Sequence, residues 1–184
     1  MKFDPFENRA CRDIRNHLGH CMIQSITDKE SLRFDYEAGG CLSNAPQEHI
    51  EAYITHRRQA LKNVLARMEV LRVDSRDYFG IAMILWNLEL FFEFHEWLEQ
   101  KWLTASGDKR KALQALILSA VVYEQLTYGR TGPAKKTALR VILLLNQYGH
   151  LISDWLDTGL LINSLEALGP VPPKFSLPGE SFPG

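Results

Sequence analysis

The chain has 184 residues, 46% of them hydrophobic, with 21 Lys and Arg against 22 Asp and Glu, which is enough for one good core with a helical extension. A net charge of −1 with both signs interspersed excludes a polyanion-binding surface, so no nucleic-acid partner is expected. The charged N-terminus lacks the apolar centre of a signal peptide and no run of about 18 apolar residues occurs, so no membrane span is expected and the cytoplasm is the expected compartment.

Cys11, Cys21 and Cys41 are odd in number and lack metal-type spacing, which fits reduced thiols in a cytosolic protein. Asp4-Pro5 opens a first helix whose apolar residues fall at Cys11, Ile14, Leu18, Cys21, Met22 and Ile26. Residues 27–45 lose periodicity around Gly39-Gly40, so they read as a connection with an extended piece at Leu32–Tyr36. Asn44-Ala45-Pro46-Gln47 has the form of a helix cap, and Ile50, Ile54, Leu61, Val64, Leu65, Met68 and Leu71 follow at helical spacing. His49 and His56, two turns apart on a neighbouring stripe, read as surface histidines.

Asp74-Ser75 restarts a helix that periodicity alone carries to Leu103, and Thr104–Asp108 ends it, with Gly107 as terminator and Asp108 as the next cap. Lys109–Tyr128 is apolar almost all round, and the short loop before it predicts an antiparallel neighbour. Ala134–Tyr148 is amphipathic, and Asn163-Ser164-Leu165-Glu166 has the spacing of a capping box for a short last helix to Leu168. Residues 169–184 are rich in Pro and Gly and fit a tail on the surface. The expected fold is therefore all-α, a compact bundle of about six or seven helices. Residues 1–73 form a helical extension, 74–168 the core domain and 169–184 the tail.

The chemistry concentrates in Leu90–Trp102. On a helix, Leu88, Phe91, Phe92, His95, Leu98, Glu99 and Trp102 share one face, while Glu89, Glu93, Glu96 and Gln100 form a polar seam. An imidazole and a carboxylate one turn apart on so apolar a face need hydrogen-bonding partners. Gln114 and Glu124 share a sector of the next helix, with Tyr123 beside them, so these groups could converge on His95, Glu96, Glu99 and Trp102 around a ligand. If a metal ion is the ligand, the donors are His95, Glu99 and Glu124. Two metal motifs fit poorly. A zinc peptidase needs a second imidazole where Glu99 stands, and a di-iron site needs Glu three residues before His95, where the chain has Phe92, with a second copy elsewhere.

The run Phe92-Glu93-Phe94-His95-Glu96-Trp97-Leu98-Glu99-Gln100-Lys101-Trp102, followed by Gln114-Ala115-Leu116-Ile117 and Gly132-Pro133-Ala134, resembles the domain-of-unknown-function 309 family. That family's signature is a Phe-Glu-Ala-His-Glu-x-x-Glu-x-x-Trp helix, a Gln-Gly-Leu-Ile-Gln helix and a Gly-Ala helix start. The resemblance covers about Tyr78 to Leu145 and implies a compact, all-helical prokaryotic domain with no assigned activity. It also implies a break between two helices around Asn87–Glu89, where relatives tend to carry Gly. Relatives often have His where this chain has Tyr123-Glu124, and Ala where it has Phe94.

Two functional classes follow. One is a cytosolic helical protein with a small polar pocket around His95 and Glu99, cofactor and ligand unknown. The alternative is a structural or protein-interaction module in which a buried His–Glu pair specifies helix packing. Apolar surface on several helices, with Trp86, Trp97 and Trp155 to cover, makes a homo-oligomer, most simply a homodimer, the expected assembly.

Overall fold

The first helix of the chain begins where Asn8 can cap it. Asn8 is extended, and its side-chain carbonyl accepts the Cys11 N–H at 3.1 Å, satisfying a donor that the first turn leaves open. The helix therefore starts four residues after the expected Asp4-Pro5, whose aspartate closes a separate turn onto Phe6 and Glu7. This computed structural model describes residues 2–44, 47–175 and 177. Among them are eight helices and no strand, so the fold is all-α. The helices are α1 (Arg9–Asp28), α2 (Leu32–Asn44), α3 (Glu48–Val70), α4 (Tyr78–Asn87), α5 (Phe91–Thr104), α6 (Gly107–Thr127), α7 (Thr131–Tyr148) and α8 (Thr158–Ala167). None is long and apolar enough to cross a membrane.

The chain divides into two compact units at Ile81–Ala82, within α4. In the first, α1, α2 and α3 pack on one another, burying Leu18, Met22 and Ile26 from α1 and Ile50, Ile54, Leu61 and Val64 from α3. α2 corrects the expected extended piece at Leu32–Tyr36. Two glycines cost a helix roughly 1 kcal/mol each relative to Ala, and Leu32 and Tyr36 point outward, so the sequence shows little amphipathic stripe. Tertiary contacts decide instead. Phe34 and Ala38, one turn apart, are fully buried, and Arg58 of α3 holds Asp35 through its carboxylate at 3.2 Å and its carbonyl at 3.3 Å. The expected cap at Asn44-Ala45-Pro46 falls partly outside the described residues. The backbone of Asn44 closes α2, and α3 starts after Gln47.

In the second unit α6 packs against both α5 and α7, and α8 against α7. The helix expected from Asp74 to Leu103 is two helices. α4 starts later, with the Asp77 carboxylate accepting the Gly80 N–H at 2.9 Å, and ends where the Leu90 N–H reaches back to the Leu85 carbonyl and Glu89 to Trp86. That closure puts Glu89 at φ 59°, the left-handed conformation a helix terminus uses. The break implied by the family resemblance is therefore present. α8 also starts earlier than expected. Asp157 caps it by accepting the Leu160 N–H at 2.9 Å, which places Asn163 inside the helix.

Trp86 is the centre of this unit, with no exposed surface. Its ring lies 5.2–5.5 Å from those of Phe91, Phe94, Tyr123 and Phe175. Phe175 belongs to the Pro-rich tail. The Trp86 indole donates to the Pro173 carbonyl at 2.8 Å, Lys174 donates to the Asn87 carbonyl at 2.9 Å and to the Glu89 carboxylate at 2.7 Å, and Pro172, Phe175 and Leu177 are buried. Pro172, Phe175 and Leu177 of the expected surface tail are thus part of the second unit's core.

Candidate functional site

α5 is apolar on two sides, and the structure selects which one is covered. Phe91, Phe92, Glu93, Phe94, Trp97 and Leu98 are buried, with Phe91 and Phe94 against Trp86 and the helix packed on α6. His95, Glu96, Glu99 and Trp102 are left half-buried. The expectation of a buried His95–Glu99 pair is corrected here, since their side chains are 27% and 43% exposed. So is the polar seam, because Glu93, expected on the outside, has no exposed surface. Periodicity shows that a helix has two aromatic faces; it does not show which one Trp86 and α6 will cover.

The half-exposed face gathers three donors. His95 Nδ1 lies 3.8 Å from Glu96 Oε1, and Nε2 lies 4.0 Å from Glu99 Oε2. One ligand atom from each of His95, Glu96 and Glu99 can be chosen so that all lie within 4.8 Å of one another. Glu99 reaches His95 as an i,i+4 neighbour. Glu96 is adjacent in sequence and starts 100° around the helix, so its side chain has to swing back to the imidazole. Phe92 stands edge-on to the His95 ring at 6.4 Å, giving the cluster one apolar wall. Such an array, one nitrogen and two carboxylates with open positions toward solvent, can hold a divalent cation of the Mn, Fe, Co, Ni or Zn group.

The other expected members are Trp102, Gln114, Tyr123 and Glu124. Trp102 is on the next turn, and the Arg110 guanidinium covers its ring at 4.0 Å, a cation–π contact joining the end of α5 to the start of α6. Gln114 and Glu124 are half-buried on α6. Tyr123 belongs to the aromatic core rather than to the His95 face. It is 1% exposed and stacked at 5.5 Å on Phe91. Burial pushes its phenol up to about 12.

Sequence reasoning also passed over a half-open cleft of about 530 Å³ in the first unit, lined by Lys29, Leu65, Met68, Glu69, Arg72 and Asp74 among others. Its Asp74 carboxylate pairs with Arg76 at 2.9 Å and Lys29 at 3.5 Å, and the Arg76 hydrogen bonds hold it down at about 2. No run of spaced motif residues marks these side chains, which come from Lys29 and the stretch 65–74.

Residues 80–137 match the model of a family described as a domain of unknown function (DUF309), a little under a third of the chain and the part that contains the α5 motif. No curated protein and no solved structure matches the chain.

Proposed function

We propose that this protein uses the exposed face of its DUF309-type helix α5 to bind a divalent cation through His95, Glu96 and Glu99. The observation that carries this reading is the convergence of the three donor atoms within 4.8 Å on a half-buried face. A site with two carboxylates and one imidazole suits Mn²⁺ or Fe²⁺ at least as well as Zn²⁺. Its open coordination positions leave room for water or a small acidic ligand to complete the shell. Half-exposure speaks against the alternative, a polar pair that only fixes helix packing, because such a pair acts by being desolvated.

Titration of Mn²⁺ into the full-length protein, followed by loss of the free-ion electron paramagnetic resonance signal, tests the site. Wild type should sequester the ion, and His95→Ala and Glu99→Gln should each return most of it to solution. A wild type that leaves Mn²⁺ free at millimolar concentration would remove the proposal.

A prokaryotic, cytoplasmic homodimer completes the picture we propose. The three free cysteines support a reducing compartment. For the dimer, Leu139 and Leu143, 58% and 71% exposed one turn apart on α7, supply apolar surface. Trp86 and Trp97 do not, since both are buried within the chain. A monomer by light scattering at micromolar concentration would exclude the dimer.

A further inference from the structure

α1 and α3 end in the same way and beside the same cleft. The Glu30 N–H reaches back to the Ser25 carbonyl at 3.0 Å and the Val73 N–H to that of Met68 at 2.9 Å, while the Lys29 and Arg72 N–H groups bond Ile26 and Glu69 at 3.4 and 3.1 Å. Each is a Schellman closure. It holds Lys29 at φ 58° and Arg72 at φ 55°, a left-handed conformation that glycine takes freely and a side chain takes at a cost. Both residues line the half-open cleft of about 530 Å³ in the first unit, a volume within the range of small-molecule sites. Backbone strain carried by two long cations at one cleft is the kind of outlier from which a binding role can be inferred.

The cleft divides by chemistry. Met68 and Val73 are buried and Leu65 is half-buried, so its deeper wall is apolar. Lys29, Glu69, Arg72 and Asp74 stand exposed around that wall. Lys29 and Asp74 are 3.5 Å apart and neutralise each other. The side chains of Glu69 and Arg72, three residues apart, form no ion pair or hydrogen bond among the described residues. The carboxyl ends of two helices also meet here, and the negative ends of their dipoles favour a positive group.

We infer that this cleft binds a small zwitterion with an apolar side chain, an α-amino acid of the leucine or methionine kind. Arg72 receives the ligand's carboxylate, since a planar guanidinium matches both of its oxygens. Glu69 accepts from the ammonium group, and the apolar side chain covers Leu65, Met68 and Val73. A fatty carboxylate fits less well, because Glu69 would repel its head group and gain nothing in return. The site shares no residue with the α5 cluster and does not depend on a metal there.

Calorimetric titration of the full-length protein with L-leucine, isocaproate and isoamylamine tests the assignment, since the second lacks the ammonium group and the third the carboxylate. We expect one L-leucine per chain, with each analogue weaker by about tenfold or more, the worth of one charge-assisted contact. Arg72→Gly should weaken L-leucine by about the same factor and leave isoamylamine unchanged. Glu69→Gln should weaken L-leucine and leave isocaproate unchanged. Because glycine suits φ 55°, Arg72→Gly should keep or raise the urea midpoint, which separates a lost ligand contact from a lost fold. His95→Ala should leave all three affinities unchanged. A folded wild type that binds neither L-leucine nor L-methionine at millimolar concentration overturns the inference, and so does isocaproate binding as tight as that of L-leucine. L-leucine binding that survives both Arg72→Gly and Glu69→Gln overturns it as well.

Discussion

Asn87 and Phe175, 88 residues apart, pair as two strands would. The Asn87 carboxamide donates to the Phe175 carbonyl at 2.7 Å and accepts the Phe175 N–H at 2.9 Å. A helix-terminal side chain thus satisfies both backbone groups of a tail residue whose own ring is buried on Trp86. With no neighbouring strand to bond to, the buried backbone at Phe175 depends on this carboxamide.

Asn87→Asp keeps the shape and removes the donor, setting a carboxylate oxygen against the Phe175 carbonyl. The expected loss is about 1–3 kcal/mol in urea unfolding, the cost of stranding a buried polar group. The emission of Trp86 should shift to the red as the tail lifts. Unchanged stability and emission would show that the tail is not held by this pair.

Tyr123 gives the chain an alkaline limit. Its phenol is raised to about 12 by burial, against about 10 for an exposed tyrosine. The folded state therefore binds this proton more tightly than the unfolded state. Its contribution to stability is fully present below about pH 10 and is lost as pH rises toward 12. The phenolate absorbance of wild type minus that of Tyr123→Phe should show a single step near 12. A step near the ordinary value would contradict the burial.

Gly39 and Gly40 lie in the middle of α2, neither has a positive φ, and a Cβ at either would meet nothing within 4 Å. Gly39→Ala and Gly40→Ala should each stabilise the protein by about 0.5–1 kcal/mol, mainly by narrowing the unfolded ensemble. The urea midpoint should rise with the slope unchanged. A fall in the midpoint would mean that α2 is not helical there in solution.

Helix type and order were legible wherever a stripe was long and self-sufficient, as in α1, α3, α6 and α7. Legibility failed where a distant partner decides. α2 is helical because Phe34 and Ala38 are buried and Arg58 grips Asp35, none of which its own composition signals. The α4–α5 break has no Gly or Pro to mark it. Glu89 takes the left-handed position itself, its side chain bonded to Lys174 of the tail, and only the family resemblance pointed there. His95, Glu96 and Glu99 were found as a group because they lie on one helix.

The two glutamates on either side of His95 separate surface chemistry from core structure. His95 and Glu99 are partly exposed and 4.0 Å apart. An ion pair of that kind contributes at most about 1 kcal/mol, so His95→Ala should change metal-free stability by less than about 1 kcal/mol. A pair sealed in the core would instead lose roughly 3–5 kcal/mol when one partner is removed. Glu93, two residues earlier, is the sealed one, with no exposed surface between buried Phe92 and Phe94. Glu93→Ala should cost about 2–4 kcal/mol, from the space it leaves and from the polar groups it strands. Urea titrations of both variants in the presence of chelator measure the contrast directly. If His95→Ala proved the costlier of the two, α5 would have to be rotated so that His95, not Glu93, is the sealed residue.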